Sequence, residues 1–250
     1  MTFPDLSLLA GLVIGVAFLT AGIVKGTIGA GLPLVAIPIV AQVVEPALAV
    51  SLTIVPVIAT NIWQALQGGH YREVVRRLWP YLVCMALGSA GGAQILATAD
   101  PRLTQIVLGI LVVAISTIQL VGGGFAVPHR TQPWLNPPAG LVCGVFGGIA
   151  GMMAPAILYS AALRLSKDIL ISLMALVALT GTTPLYLTLF VNGVLHWPEM
   201  ALSALTMLPV AIGMVVGKGI RDRISQRMFE RVLFIGLIVI GLNLLRRGLM

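Results

Sequence analysis

Lys25 stands in a run that is otherwise apolar or small, Thr20-Ala-Gly-Ile-Val-Lys25-Gly26-Thr27-Ile-Gly29-Ala-Gly31-Leu-Pro33. An ammonium near a bilayer centre costs about 2.5 to 3.5 kcal/mol even on lenient insertion scales, so an ionisable group at that depth is a functional candidate by default. Glycine costs about 1 kcal/mol and proline about 3 in a helix interior. Backbone freed at membrane depth is tolerated only against protein or a wet cavity. The run therefore predicts a helix interrupted over residues 26–31 and resuming at Leu32, with Pro33 at an early position where its missing N–H is no loss. A helix that restarts inside the membrane aims free N–H groups and a positive dipole end at that depth, which is anion-binding chemistry. The competing reading ends the first helix near Val24 and lets Lys25 snorkel to the headgroups.

A second such stretch, residues 138–163, is charge-free and crowded with Gly140, Gly144, Gly147, Gly148, Gly151 and Pro155. The candidate substrate site comprises Lys25, Gly26, Gly29, Gly31 and Pro33 from the first stretch and Gly148, Gly151 and Pro155 from the second, as two facing helix ends around one small anion. Thr60, Asn61, Thr182 and Thr183 could add hydrogen bonds one span later, with Tyr159 and Gln64 as weaker candidates. Against this, membrane threonines often bond their own backbone. Glycines at four-residue spacing, Gly11/Gly15, Gly88/Gly92 and Gly140/Gly144/Gly148, are expected to serve helix packing.

Catalytic chemistry is poorly represented. Lys25-Gly26-Thr27 lacks the first glycine of a phosphate-binding loop, and no H-E-x-x-H or G-x-S-x-G motif occurs. His70, His129 and His196 fall in expected loops, and Cys84 and Cys143 lie in apolar runs without metal-ligand spacing. No catalytic residue, metal site or cofactor is expected, and the chain is read as no enzyme.

The elements that must position these groups follow from composition. Of 250 residues 58% are hydrophobic and only 9% charged, with a mean hydropathy of +1.04. A soluble domain carries roughly 25% charged residues, so the chain is an all-α polytopic membrane protein. Its net charge of +7 is split into short clusters between apolar runs, which argues for topology signals and against nucleic acid. A crossing helix needs about 20 apolar residues. Residues 6–24, 47–67, 81–99, 103–121, 169–191 and 200–217 qualify, as does 229–245 if Glu230 and Arg231 lie in its first, interfacial turn, while 28–44 and 138–163 are candidate broken helices. The start of the chain lacks the features of a removed signal peptide and is expected to form the first span.

A shift of 122 positions lays Gly22, Gly26, Gly29 and Pro33 over Gly144, Gly148, Gly151 and Pro155, Thr60 and Asn61 over Thr182 and Thr183, and Asp100 over Asp222. Residues 1–125 and 126–250 are thus read as two repeats of one membrane domain, each a Gly/Pro-broken hairpin plus three spans. An odd number of net crossings makes the second repeat inverted, a common transporter design. Equivalent loops carry the opposite charge bias that inversion requires. Arg72, Arg76 and Arg77 have no basic counterpart over residues 192–198, whereas Arg102 stands alone against Lys218, Arg221, Arg223 and Arg227. Assigning the basic-rich loops, with Arg130, Arg164 and Lys167, to the cytoplasm places both termini outside, although Arg246 and Arg247 argue against it.

The run over residues 25–38, K-G-T-I-G-A-G-L-P-L-V-A-I-P, resembles the glycine-rich first-repeat motif of the sulfite exporter TauE/SafE family, and residues 144–159, G-V-F-G-G-I-A-G-M-M-A-P-A-I-L-Y, resemble its second. The resemblance covers nearly the whole chain and implies export of small sulfur-containing anions such as sulfite or organosulfonates. Met152 and Met153 stand where the family often has glycines, which bears on the size of the anion. The reading is a multi-pass transporter of the cell inner membrane, working by alternating access around a site between the two broken hairpins. Its partners are a small anion and the lipid bilayer; a homodimer is permitted by the glycine-rich spans and not required. An anion channel or a membrane scaffold of a larger complex is the alternative.

Overall fold

The computed structural model describes residues 8–121, 126–221 and 226–249. Asp222 and Arg223, used in the repeat and charge arguments, lie outside these residues, as does the start of the first expected span. Among the described residues there are eleven α-helices and no strand: α1 (Leu8–Ile28), α2 (Leu32–Val40), α3 (Pro46–Ser51), α4 (Ile54–Gly68), α5 (Tyr71–Thr98), α6 (Pro101–Val121), α7 (Gln132–Ala150), α8 (Ala154–Ala162), α9 (Lys167–Val191), α10 (Trp197–Arg221) and α11 (Gln226–Leu249). Among the described residues six stretches are long and apolar enough to cross a membrane, namely Leu8–Thr27, Pro46–Leu66, Tyr71–Thr98, Pro101–Val121, Ile169–Val191 and Trp197–Ile220.

The expected spans gain or lose a turn for identifiable reasons. Arg72, Arg76 and Arg77, expected in a loop, occupy the first turns of α5, which bends at Leu78 (φ −118°, ψ 15°). Pro80 has no N–H to give the carbonyl of Arg76 and its ring crowds it, so the helix kinks there instead of stopping. Likewise α7 begins at Gln132, six residues before the expected start, with Pro133 in its first turn. The span expected over 47–67 is two helices, α3 and α4, parted at Leu52 and Thr53. Pro56 removes the donor that Leu52 C=O would meet four residues on, and α10 supplies replacements. Ser203 Oγ and Thr206 Oγ1 donate to Leu52 C=O at 2.9 and 3.1 Å, and Ser203 Oγ accepts from Val55 N–H at 3.0 Å.

The chain forms two compact units, one of Met1–Pro56, Ala99–Gly122 and Leu195–Met250, the other of Val57–Thr98 and Gly123–Val194. Each draws on both halves of the sequence. In the first, α1 and α10 touch backbone to backbone: a Cβ on Gly22 or Gly26 would meet the carbonyl oxygen of Val210 or Met214 at 2.4 Å. Residue numbers rise together along the contact, so the two helices run parallel. In the second unit α5 and α7 repeat this arrangement, with Gly88 and Gly92 against Leu141 and Val145, and Gly144 and Gly148 against Met85 and Ser89. Small residues at four-residue spacing thus serve close approach in α5 and α7, as expected. Gly11 and Gly15 do not: nothing lies within 4 Å of where their Cβ would be. In the first unit α6 and α11 run antiparallel, since Gly109 meets Gly241 while Gly248 meets Arg102.

Candidate functional site

Both expected breaks exist and are shorter than the sequence implies. In the first unit α1 continues through Gly26 to Ile28, and only residues 29–31 leave the helix, with Gly31 (φ 93°, ψ 8°) preceding Leu32 in the left-handed region that favours glycine. The first bond of the new helix runs from Val35 N–H to Gly31 C=O at 3.2 Å, so the N–H groups of its first turn have no partner within the helix. Pro33 occupies that turn. In the second unit α7 ends at Gly151 (φ 70°, ψ 9°) and α8 restarts at Ala154 behind Met153, with Pro155 in its first turn and Ile157 N–H bonded to Met153 C=O at 3.1 Å.

Gly26 and Gly148 are therefore not part of the breaks. They sit inside α1 and α7, where their missing side chains admit the neighbouring backbones of Met214 and Ser89 at 2.4 Å each. Lys25 lies in the last turn of α1 and is only 5% exposed, one turn before the break. In that turn its charge faces the negative end of the helix dipole, a favourable placement for a cation. The equivalent position after the shift of 122 is Gly147, so the second hairpin has no lysine. Each hairpin brings one helix C-terminus and one helix N-terminus to its tip, and their partial charges offset each other. Lys25 adds a cationic side chain next to the first tip, where the counterpart in the second hairpin is Gly147.

The remaining candidates fall in the second unit. Thr60 and Asn61 are buried on α4, and Asn61 Nδ2 donates to Val57 C=O at 2.8 Å. Thr182 Oγ1 and Thr183 Oγ1 donate to Ala178 and Leu179 C=O of their own helix, at 2.6 and 2.7 Å, which commits their protons; Thr183 is also exposed. Gln64 Nε2 reaches Ile171 C=O at 3.4 Å. Tyr159 on α8 is buried, its hydroxyl donating to Asn136 Oδ1 at 2.7 Å and its ring stacked on Tyr81, centroids 5.1 Å apart.

Sequence reasoning missed Asn136 and Tyr81, which hold Tyr159 in place from helices 23 and 75 to 78 positions away in the chain. It left Met153 undecided between packing and site. The structure buries it (4% exposed), and its sulfur would lie 2.7 and 2.5 Å from a Cβ on Gly147 and Gly181. Met153 thus fills the space that two glycines leave at the second hairpin.

Among the described residues no group of three or more His, Cys, Asp or Glu could hold a metal ion. Long apolar helices, with two Gly/Pro-broken hairpins set among them, define a polytopic α-helical membrane protein. The sulfite exporter TauE/SafE family matches residues 13–244, and the chain belongs to that family. No match was found among curated proteins or among solved structures.

Proposed function

We propose that this membrane protein is a secondary transporter, working as an exporter, of small sulfur-containing oxyanions such as sulfite or organosulfonates. Membership of a sulfite exporter family supports the substrate class. The observation that carries the reading is Lys25, a cation 5% exposed in the last turn of α1, one turn before a helix that restarts with unbonded N–H groups. An ionisable group at that depth is a functional candidate, and an anion at the tip of the first hairpin would lie beside it and against the first-turn amides of α2. The two hairpins serve as the substrate-binding elements and transport proceeds by alternating access. The antiparallel run of α6 and α11, helices equivalent under the shift of 122, supports repeats of opposite sense. The chain resides in the cell inner membrane. An inside-negative potential, worth about 2.3 kcal/mol per charge per 100 mV, drives anion export without a coupling ion.

The test is uptake of labelled sulfite into proteoliposomes loaded with unlabelled sulfite. A carrier gives saturable uptake that overshoots by counterflow. A large non-saturating conductance would make the protein a channel, and no flux at all a scaffold.

A further inference from the structure

At the other end of α7 from its hairpin, the second unit opens a cleft of about 200 Å³ lined by Arg77, Pro80, His129, Gln132, Pro133 and Asn136. Arg77 Nη2 lies 2.8 Å from His129 Nδ1 and 3.1 Å from Gln132 Oε1. A guanidinium only donates, so His129 accepts at Nδ1 and, as a neutral imidazole, carries its hydrogen on Nε2. Gln132 is itself buried and tied down, its amide nitrogen donating to Val127 C=O at 3.1 Å and to Leu163 C=O at 3.5 Å. The guanidinium is thus held by a rigid support, with N–H groups to spare beyond those two contacts. Arg77 forms no ion pair among the described residues.

The cleft contains a further donor. Asn136 is 4% exposed and its Oδ1 is taken by Tyr159, while its amide nitrogen has no acceptor among the described residues. Guanidinium, imidazole Nε2–H and amide N–H2 are all donors, and no carboxylate lines the cleft. Such a set selects for oxygen acceptors carrying negative charge, and an arginine fork fits a tetrahedral oxyanion bidentately. We propose that this cleft is an oxyanion-binding site, separate from the hairpins and independent of whether the chain is a transporter. Its ligand is a phosphate- or sulfonate-type group, either free in solution or on an anionic lipid. Exposed Trp79 and Trp134 next to the lining residues suit a headgroup at the membrane surface.

The test measures thermal unfolding of the purified full-length protein in phosphatidylcholine nanodiscs. One arm adds inorganic phosphate, and the other replaces part of the lipid with phosphatidylglycerol. A ligand selective for the native state raises the melting temperature. Three variants are compared: Arg77→Ala, Asn136→Asp, which keeps the acceptor for Tyr159 but faces the anion with a carboxylate, and Arg72→Ala, an exposed charge on the same helix outside the cleft. Stabilisation in either arm that falls at least tenfold in apparent affinity in Arg77→Ala and Asn136→Asp, and persists in Arg72→Ala, is expected; the arm in which it occurs identifies the source. If Arg77→Ala fails to fold, Asn136→Asp decides alone. Stabilisation in neither arm, stabilisation that survives Asn136→Asp, or equal loss in Arg72→Ala would overturn the site. Anion binding at the hairpins would survive Asn136→Asp, so a failure here leaves the transport reading untouched.

Discussion

Met153 lies against Gly181 so closely that a Cβ on the glycine would meet its sulfur at 2.5 Å. The contact joins Met153, the residue that caps α8, to the middle of α9. Truncating a buried methionine to alanine costs about 2 to 5 kcal/mol and leaves a cavity. Met153→Ala is expected to lower the melting temperature and to enlarge the space at the second hairpin. Competition assays in proteoliposomes should then show larger organosulfonates gaining on sulfite. An unchanged preference would mean that Met153 only packs.

Glycines of α1 and α7 divide by what their missing side chains admit. Gly26→Ala and Gly148→Ala place a methyl 2.4 Å from a carbonyl oxygen of the neighbouring helix, a clash with backbone that no rotamer relieves. Overpacking of this kind costs about 1 to 3 kcal/mol or more. Gly11→Ala meets nothing within 4 Å, and alanine is the better helix former by about 1 kcal/mol. Melting of the three variants in detergent should show two losses and one small gain or no change.

The polar seam between α10 and the α3–α4 break predicts a graded series. Ser203→Ala removes one of two donors to Leu52 C=O and the acceptor of Val55 N–H, for about 1 to 3 kcal/mol. Adding Thr206→Val removes the other and leaves a buried carbonyl without either hydroxyl, for about 1 to 3 kcal/mol more. Equilibrium unfolding should show a loss at each step, with Thr206→Val alone the mildest because Ser203 still serves Leu52 C=O and Val55 N–H.

Much of this was legible because glycine and proline report backbone geometry directly. Gly31 and Gly151 adopt positive φ, and Pro33 and Pro155 fall in the first turn of the helices that follow, as their spacing implies. Gly26 and Gly148 were misplaced into the breaks, since a glycine that frees the backbone and one that admits a neighbouring helix look alike in sequence. The break at Leu52 was hidden because its compensation comes from Ser203 and Thr206, about 150 residues away. The protons of Thr182 and Thr183 went to their own helix, the local alternative that membrane threonines always have. Arg77, read as a topology charge, proves to be wired to His129 and Gln132 across 52 and 55 positions, a pairing that no local pattern signals.

The account turns on Lys25, the buried lysine beside one hairpin tip whose counterpart in the other hairpin is Gly147. Sulfite counterflow in proteoliposomes, compared between wild type, Lys25→Ala and Lys25→Arg with folding checked by melting temperature, tests it most directly. The account predicts that Lys25→Ala folds and inserts but transports at least a hundredfold more slowly, with partial recovery in Lys25→Arg. Wild-type transport by Lys25→Ala would contradict it.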